Sequence, residues 1–123
     1  PDAMKTYQRA VVLLPDAPLI RTNLAHVILE MNRAELNDVA LKHVESALRS
    51  DRFMPKAWYL AGTVYGRKKQ FGRSAWALAE YNILINRKRL ARTHAMRALK
   101  LLKAGSPAWL RATDIKNEID LTK

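Results

Sequence analysis

The chain has 123 residues, enough for one domain or a short array of small repeated units; 49% of them are apolar, none is cysteine, and the formal charge is +11. Without cysteine there is no disulfide framework, thiolate metal site or cysteine nucleophile, and no apolar run approaches the roughly 18 residues of a membrane span. Four glycines and five prolines are too few to punctuate many short strands, so an all-α chain of about six to seven helices is predicted.

The charge is uneven. Residues 1–51 carry six Lys and Arg against seven Asp and Glu, whereas residues 52–123 carry sixteen against four. Such asymmetry predicts attraction to an acidic partner, whether protein, nucleic acid or anionic lipid. No signal peptide is recognisable. The chain opens in mid-pattern at Pro1-Asp2, which predicts a piece whose targeting segment lies upstream.

In chain order, Ala3, Tyr7, Ala10, Val11 and Leu14 recur at helical spacing and predict a helix over 1–14. Pro15-Asp16-Ala17-Pro18 stops it, and Pro18 can open the next, because its missing N–H is not needed in a first turn. There Leu19, Leu24, Ala25, Ile28 and Leu29 form an apolar face ending near Asn32. A third helix, from Leu36 or Asn37 to Arg49, uses Val39, Ala40, Val44, Ala47 and Leu48, with Asn37 or Asp38 as N-cap. In the fourth, Pro55–Tyr65, the residues Trp58, Gly62 and Tyr65 lie along one stripe, so that a bulky knob adjoins a side-chain-free notch. That combination predicts close approach of another helix. Helices over 71–86, 88–103 and 107–121 follow, the last preceded by Gly105 as helix stop and Ser106 as N-cap, with Pro107 in its first turn.

A shift of 37 residues superimposes Ala3 on Ala40, Tyr7 on Val44, Ala10 on Ala47, Val11 on Leu48, Pro18 on Pro55, Leu24 on Ala61, Ala25 on Gly62 and Ile28 on Tyr65. A shift of 34 relates Ala40 to Ser74 and Ala47 to Tyr81. The repeating unit is therefore a helical hairpin, which buries its apolar face only by stacking on its neighbours. Trp58, Ala61, Gly62 and Tyr65, followed by Phe71 and Ser74, resemble the tetratricopeptide repeat, with about three extra residues in the Asn32–Asn37 turn. The resemblance implies a helical-hairpin solenoid forming a single domain over 1–123. Its parts would be a half repeat 1–14, repeats 18–53 and 55–86, an overlapping repeat 71–104 in which one helix serves two units, and a terminal helix 107–121.

Residues 75–115 carry a narrower resemblance. The runs AEYNILIN and ALKLLKAGSPAWLRATDI, above all GSPAWLR, are similar to the C-terminal region of periplasmic zinc metalloproteases of the beta-barrel assembly-enhancing type. In that family a peptidase domain precedes the repeats, which engage outer-membrane protein clients and their assembly machinery. The resemblance implies a periplasmic or cell-envelope location. Asn86 departs from the glycine of the family pattern, but asparagine also tolerates a left-handed turn.

No HExxH is present, so the zinc motif of those proteases is not in this chain, and His26, His43 and His94 have no ligand spacing. His43, among charged neighbours, is expected to be exposed, and His94 to be packed and hydrogen-bonded. No nucleophile elbow or phosphate loop occurs. A non-catalytic chain that needs no cofactor is expected.

Two surfaces remain. The resemblance implies that the first helix of each hairpin lines a concave groove, here with Thr22, His26, Glu30, Lys56, Tyr59, Thr63 and Arg67, suited to an extended peptide or to the chain's own upstream protease domain. The Lys/Asn arrangement that clamps a C-terminal carboxylate in chaperone-adaptor repeats is missing. The second surface is basic. From Tyr81 to Thr113 there is no acidic residue, and Arg89, Arg92, Lys100 and Lys103 gather on one stripe opposite Leu90, Ala91, Ala98 and Leu102. Lys68, Lys69 and Arg73 add a second cluster. An acidic protein partner is favoured over nucleic acid, because no aromatics interleave with the charges, and over a membrane, because the stripe has no apolar wedge.

Overall fold

The computed structural model describes residues 2–122. Among these the chain is all-α, with no strand and seven helices: α1 Asp2–Leu13, α2 Pro18–Glu30, α3 Asn37–Ser50, α4 Pro55–Arg67, α5 Phe71–Leu84, α6 Lys88–Leu101 and α7 Pro107–Leu121. A single 3-10 turn, Ala34–Leu36, leads into α3. Consecutive helices pack on one another, as in a helical-hairpin solenoid; beyond those neighbours α2 touches α4, and α5 touches α7.

Helix boundaries follow local chemistry. Prolines stand at the starts of α2, α4 and α7, and the Ser106 hydroxyl accepts a hydrogen bond from the Trp109 N–H. Four connections turn through a left-handed residue: Asn32, Lys69, Asn86 and Gly105. At Lys69 the Gln70 N–H reaches back to the Tyr65 carbonyl and the Lys69 N–H to that of Gly66; at Asn86 the Arg87 N–H bonds Asn82 and the Asn86 N–H bonds Ile83. Both are Schellman closures, which satisfy the last carbonyls of α4 and α5. Asn86 thus takes the left-handed conformation that asparagine tolerates.

The first core joins α2, α3 and α4 through Leu24, Ile28, Val44, Ala61 and Val64, with Tyr7 and Val11 of α1 against it. The second is built largely of alanine, Ala75, Ala79, Ala91, Ala95, Ala98 and Ala112, with Ile115 and Ile119 of α7. Small side chains let α5, α6 and α7 approach closely. Trp76 of α5 packs against both cores. The notch in α4 is filled as expected: a Cβ on Gly62 would lie 2.9 Å from the Leu78 side chain, and Ser74 Oγ donates to the Gly62 carbonyl at 2.7 Å.

Several expectations are corrected. Leu14, Leu19, Val39 and Leu90 are substantially exposed, because the buried stripes of these short helices are narrower than their apolar content. Neither Asn37 nor Asp38 caps α3; the 3-10 turn makes Leu36 the N-cap residue, with no side-chain cap. Helices α5 and α6 end two residues short of the expected limits, so Lys103 lies beyond α6. Pro1, included in the expected first helix, lies outside the described residues.

Candidate functional site

Helix α4 has two faces of different character. Ala57, Trp58, Leu60, Ala61, Gly62, Val64 and Tyr65 are buried, and Lys56, Tyr59, Thr63 and Arg67 point away from that core. Lys56 Nζ donates to Asn23 Oδ1 at 3.3 Å, and an Arg67 guanidinium nitrogen to the Leu29 carbonyl at 3.0 Å. These two bonds strap α4 to α2. Tyr59, 51% exposed, lies 5.3 Å from Tyr81 of α5 between ring centroids. A shallow depression lies there, lined by Pro55, Lys56, Tyr59, Tyr81 and Ile85. Thr63 Oγ1 donates to the Tyr59 carbonyl, and on α2 His26 meets Glu30 at 2.8 Å.

Thr22 does not belong to this surface. It is fully buried, and its hydroxyl donates to the Pro18 carbonyl at 2.8 Å. A hydroxyl satisfied by its own helix is buried at little cost, which is why a polar residue could turn inward here. The expected groove therefore divides into an α2 part, His26 and Glu30, and an α4 part centred on Tyr59.

The basic stripe is interrupted by acids from elsewhere in the chain. Arg92 Nε donates to Asp120 of α7 at 2.7 Å, and Lys116 donates to the same carboxylate at 3.0 Å. Hydrogen bonding to Arg92 and then to Lys116 holds the Asp120 carboxyl well below the usual carboxylate range. Lys68 pairs with Asp38, and the Arg73 guanidinium stands 6.0 Å from the centroid of the Tyr65 ring. Lys69, Arg89, Lys100 and Lys103 remain exposed. The absence of acids between Tyr81 and Thr113 is a property of the sequence, and tertiary contact supplies them from outside that stretch.

The histidines are also reassigned. His43 is half-buried, with its Nδ1 3.0 Å from an Arg21 guanidinium nitrogen. Burial and then the Arg21 charge lower its pKa. His94 is half-buried as expected, but it makes no side-chain hydrogen bond among the described residues; burial and then Arg97 lower its pKa. No group of three acidic, histidine or cysteine side chains among the described residues could hold a metal ion. No described helix is long and apolar enough to cross a membrane.

A further cavity lies on the buried side of α4 and was not anticipated. It is a cleft of about 440 Å³ between α3, α5 and the start of α7, with Trp58, Tyr65 and Trp76 in its lining. The two indoles meet edge to face at 5.1 Å and 74°. Trp58 Nε1 donates to the Arg52 carbonyl at 2.8 Å, and Trp76 Nε1 to Glu80 Oε2 at 3.1 Å. Glu80 is 3% exposed, and Arg111 grips it with two nitrogens at 2.9 and 3.0 Å. The Glu80 hydrogen bonds and charge raise the Arg111 pKa against the effect of burial. The sequence offered one signal for this arrangement: Glu80 is a lone carboxylate in an alanine-rich helix, which requires a cationic partner once buried.

No family model matches the chain, and neither a curated protein nor a solved structure matches it.

Proposed function

We propose that the chain is a non-catalytic protein-interaction scaffold of the tetratricopeptide-repeat type that binds extended segments of a partner across the α2/α4 face. The observation that carries this reading is the Tyr59–Tyr81 pair. Two large aromatic rings stand at the surface beside Lys56, on helices whose other sides are buried. Aromatic residues of this kind are enriched among the few that carry most of the binding energy at protein interfaces. The paired helices and the filled Gly62 notch provide a rigid support for them.

The resemblance in residues 75–115 extends the proposal: the chain is the C-terminal repeat region of a zinc-dependent metalloprotease of the cell envelope, docking the peptidase domain, clients or assembly partners. A reading frame encoding an HExxH-bearing domain upstream of Pro1 supports this extension, and a start codon at Met4 rejects it. Binding itself is tested by amide chemical-shift mapping with extended, unstructured peptides of acidic and mixed composition. Shifts concentrated at Lys56, Tyr59 and Tyr81, with affinity falling about tenfold in Tyr59→Ala, support the scaffold reading. Shifts confined to other surfaces, or none, overturn the placement on α2/α4.

An electrostatic module for nucleic acid or anionic lipid is the alternative. The exposed run Arg87, Lys88 and Arg89 favours it, while the pairing of Arg92, Lys68 and Arg111 with carboxylates counts against it.

A further inference from the structure

The aromatic cleft behind α4 has the makings of a second docking site. Its size, about 440 Å³, falls within the roughly 300–1,000 Å³ of formed ligand sites. Its floor is preorganised. Glu80 accepts from both the Trp76 indole and the Arg111 guanidinium, fixing one wall, and the Trp58 N–H is tied to the Arg52 carbonyl. The indole N–H groups are thus already satisfied, so the rings offer carbon to an apolar guest. Tryptophan, tyrosine and arginine are also the residue types that dominate binding energy at protein interfaces.

Charge identifies the guest's surroundings. Arg111 and Glu80 neutralise each other within the wall. Glu45 accepts from the Tyr65 hydroxyl at 3.4 Å. At the rim the Arg49 and Arg52 side chains are exposed, and their guanidinium groups have no partner among the described residues. The mouth therefore carries Arg49 and Arg52 against the single carboxylate of Glu45, whose charge the neutral Tyr65 hydroxyl does not offset, and the balance above the apolar floor is positive. A nucleobase fits poorly, because Trp58 is 6% exposed and presents too little of its ring for base stacking, while Leu48 and the half-buried Trp76 supply most of the apolar wall.

We propose that this cleft binds a short peptide segment of a partner protein, in which a bulky apolar residue enters between Leu48, Trp58 and Trp76 and neighbouring carboxylates meet Arg49 and Arg52. The site shares the interaction-scaffold reading but is separate from the α2/α4 face.

The test uses the full chain and fluorescein-labelled peptides read by anisotropy. The probe is Gly-Asp-Asp-Phe-Leu-Asp-Gly; one control replaces Phe-Leu with Ala-Ala, and another replaces each Asp with Lys. The probe is expected to bind and both controls to bind at least about tenfold more weakly. Reversal of the rim charges, Arg49→Glu with Arg52→Glu, weakens the probe by a similar factor. These side chains are exposed, and circular dichroism verifies that the helices persist. Lys100→Glu with Lys103→Glu, which tests general attraction to a basic protein, leaves binding unchanged, as does Tyr59→Ala. Absence of probe binding overturns the proposal, as does equal binding of the Ala-Ala control or equal loss in the Lys100/Lys103 reversal. Loss in Tyr59→Ala with retention in the Arg49/Arg52 reversal assigns the peptide to the α2/α4 face and rejects the cleft while leaving the scaffold reading intact.

Discussion

Gly62 and Gly66 sit one turn apart on α4 and have opposite requirements. At Gly62 an added methyl group would meet Leu78 at 2.9 Å, whereas at Gly66 it would meet only Ser74 Oγ, at 3.5 Å. We expect Gly62→Ala to destabilise by about 1 kcal/mol, overpacking outweighing the gain in helix propensity. Gly66→Ala should instead stabilise by up to about 1 kcal/mol. Urea denaturation of both variants checks the contrast, and Leu78→Ala should relieve the first. Lys69 holds a left-handed conformation at φ 62°, which costs a residue with a Cβ roughly 1–2 kcal/mol relative to glycine. Lys69→Gly should therefore raise the melting temperature. A result in the other direction would mean that the lysine side chain contributes more than its backbone costs.

At the scale of elements, the link between the two cores is the side-chain set on α5. Arg111 of α7 is held by Glu80, and Trp76, bonded to the same carboxylate, packs against both clusters. Removing the cation strands a buried charge, so Arg111→Ala should cost about 3 kcal/mol. Glu80→Gln, which keeps an acceptor for the indole and lacks the charge, should cost less. Equal losses for the two, measured by chemical denaturation, would show that the charge is unimportant. The notch on α4 and the close approach of another helix are legible in the sequence, because Gly62 and the aromatic spacing of α4 are local signals; that Leu78 of α5 fills the notch is not. The Glu80–Arg111 pairing is not legible, because its partners lie 31 residues apart and nothing in their separate neighbourhoods specifies the match.

For the whole molecule, acid sensitivity is the expected consequence of how the titratable groups are placed. His43 and His94 both have pKa values lowered by burial. A folded-state value below the unfolded value of about 6.5 means that their contribution to stability is fully present above that pH and is lost as pH falls through the folded value. The Asp120 carboxyl acts in the same direction at lower pH, its stabilisation being complete above about 4 and lost further down. The melting temperature should thus fall first below pH 6.5 and again in strong acid. His43→Gln combined with His94→Gln should flatten the first fall and leave the second. If the double variant keeps the first fall, the histidines are not its cause.

The sequence by itself determined the all-α class and placed the limits of most helices to within about two residues. Those signals, namely proline at a first turn, Ser106 as cap, Gly105 and Asn86 in left-handed turns, and apolar spacing, act within a few residues of one another. Tertiary structure decided which polar groups remain available to a partner. Thr22 is withdrawn into the core, Arg92 is neutralised by Asp120 from 28 residues away, and Trp58 and Trp76 are brought together beneath Arg49 and Arg52. Charge pairing and cleft formation depend on the relative placement of helices, and a one-dimensional pattern of charges or aromatics is compatible with many such placements.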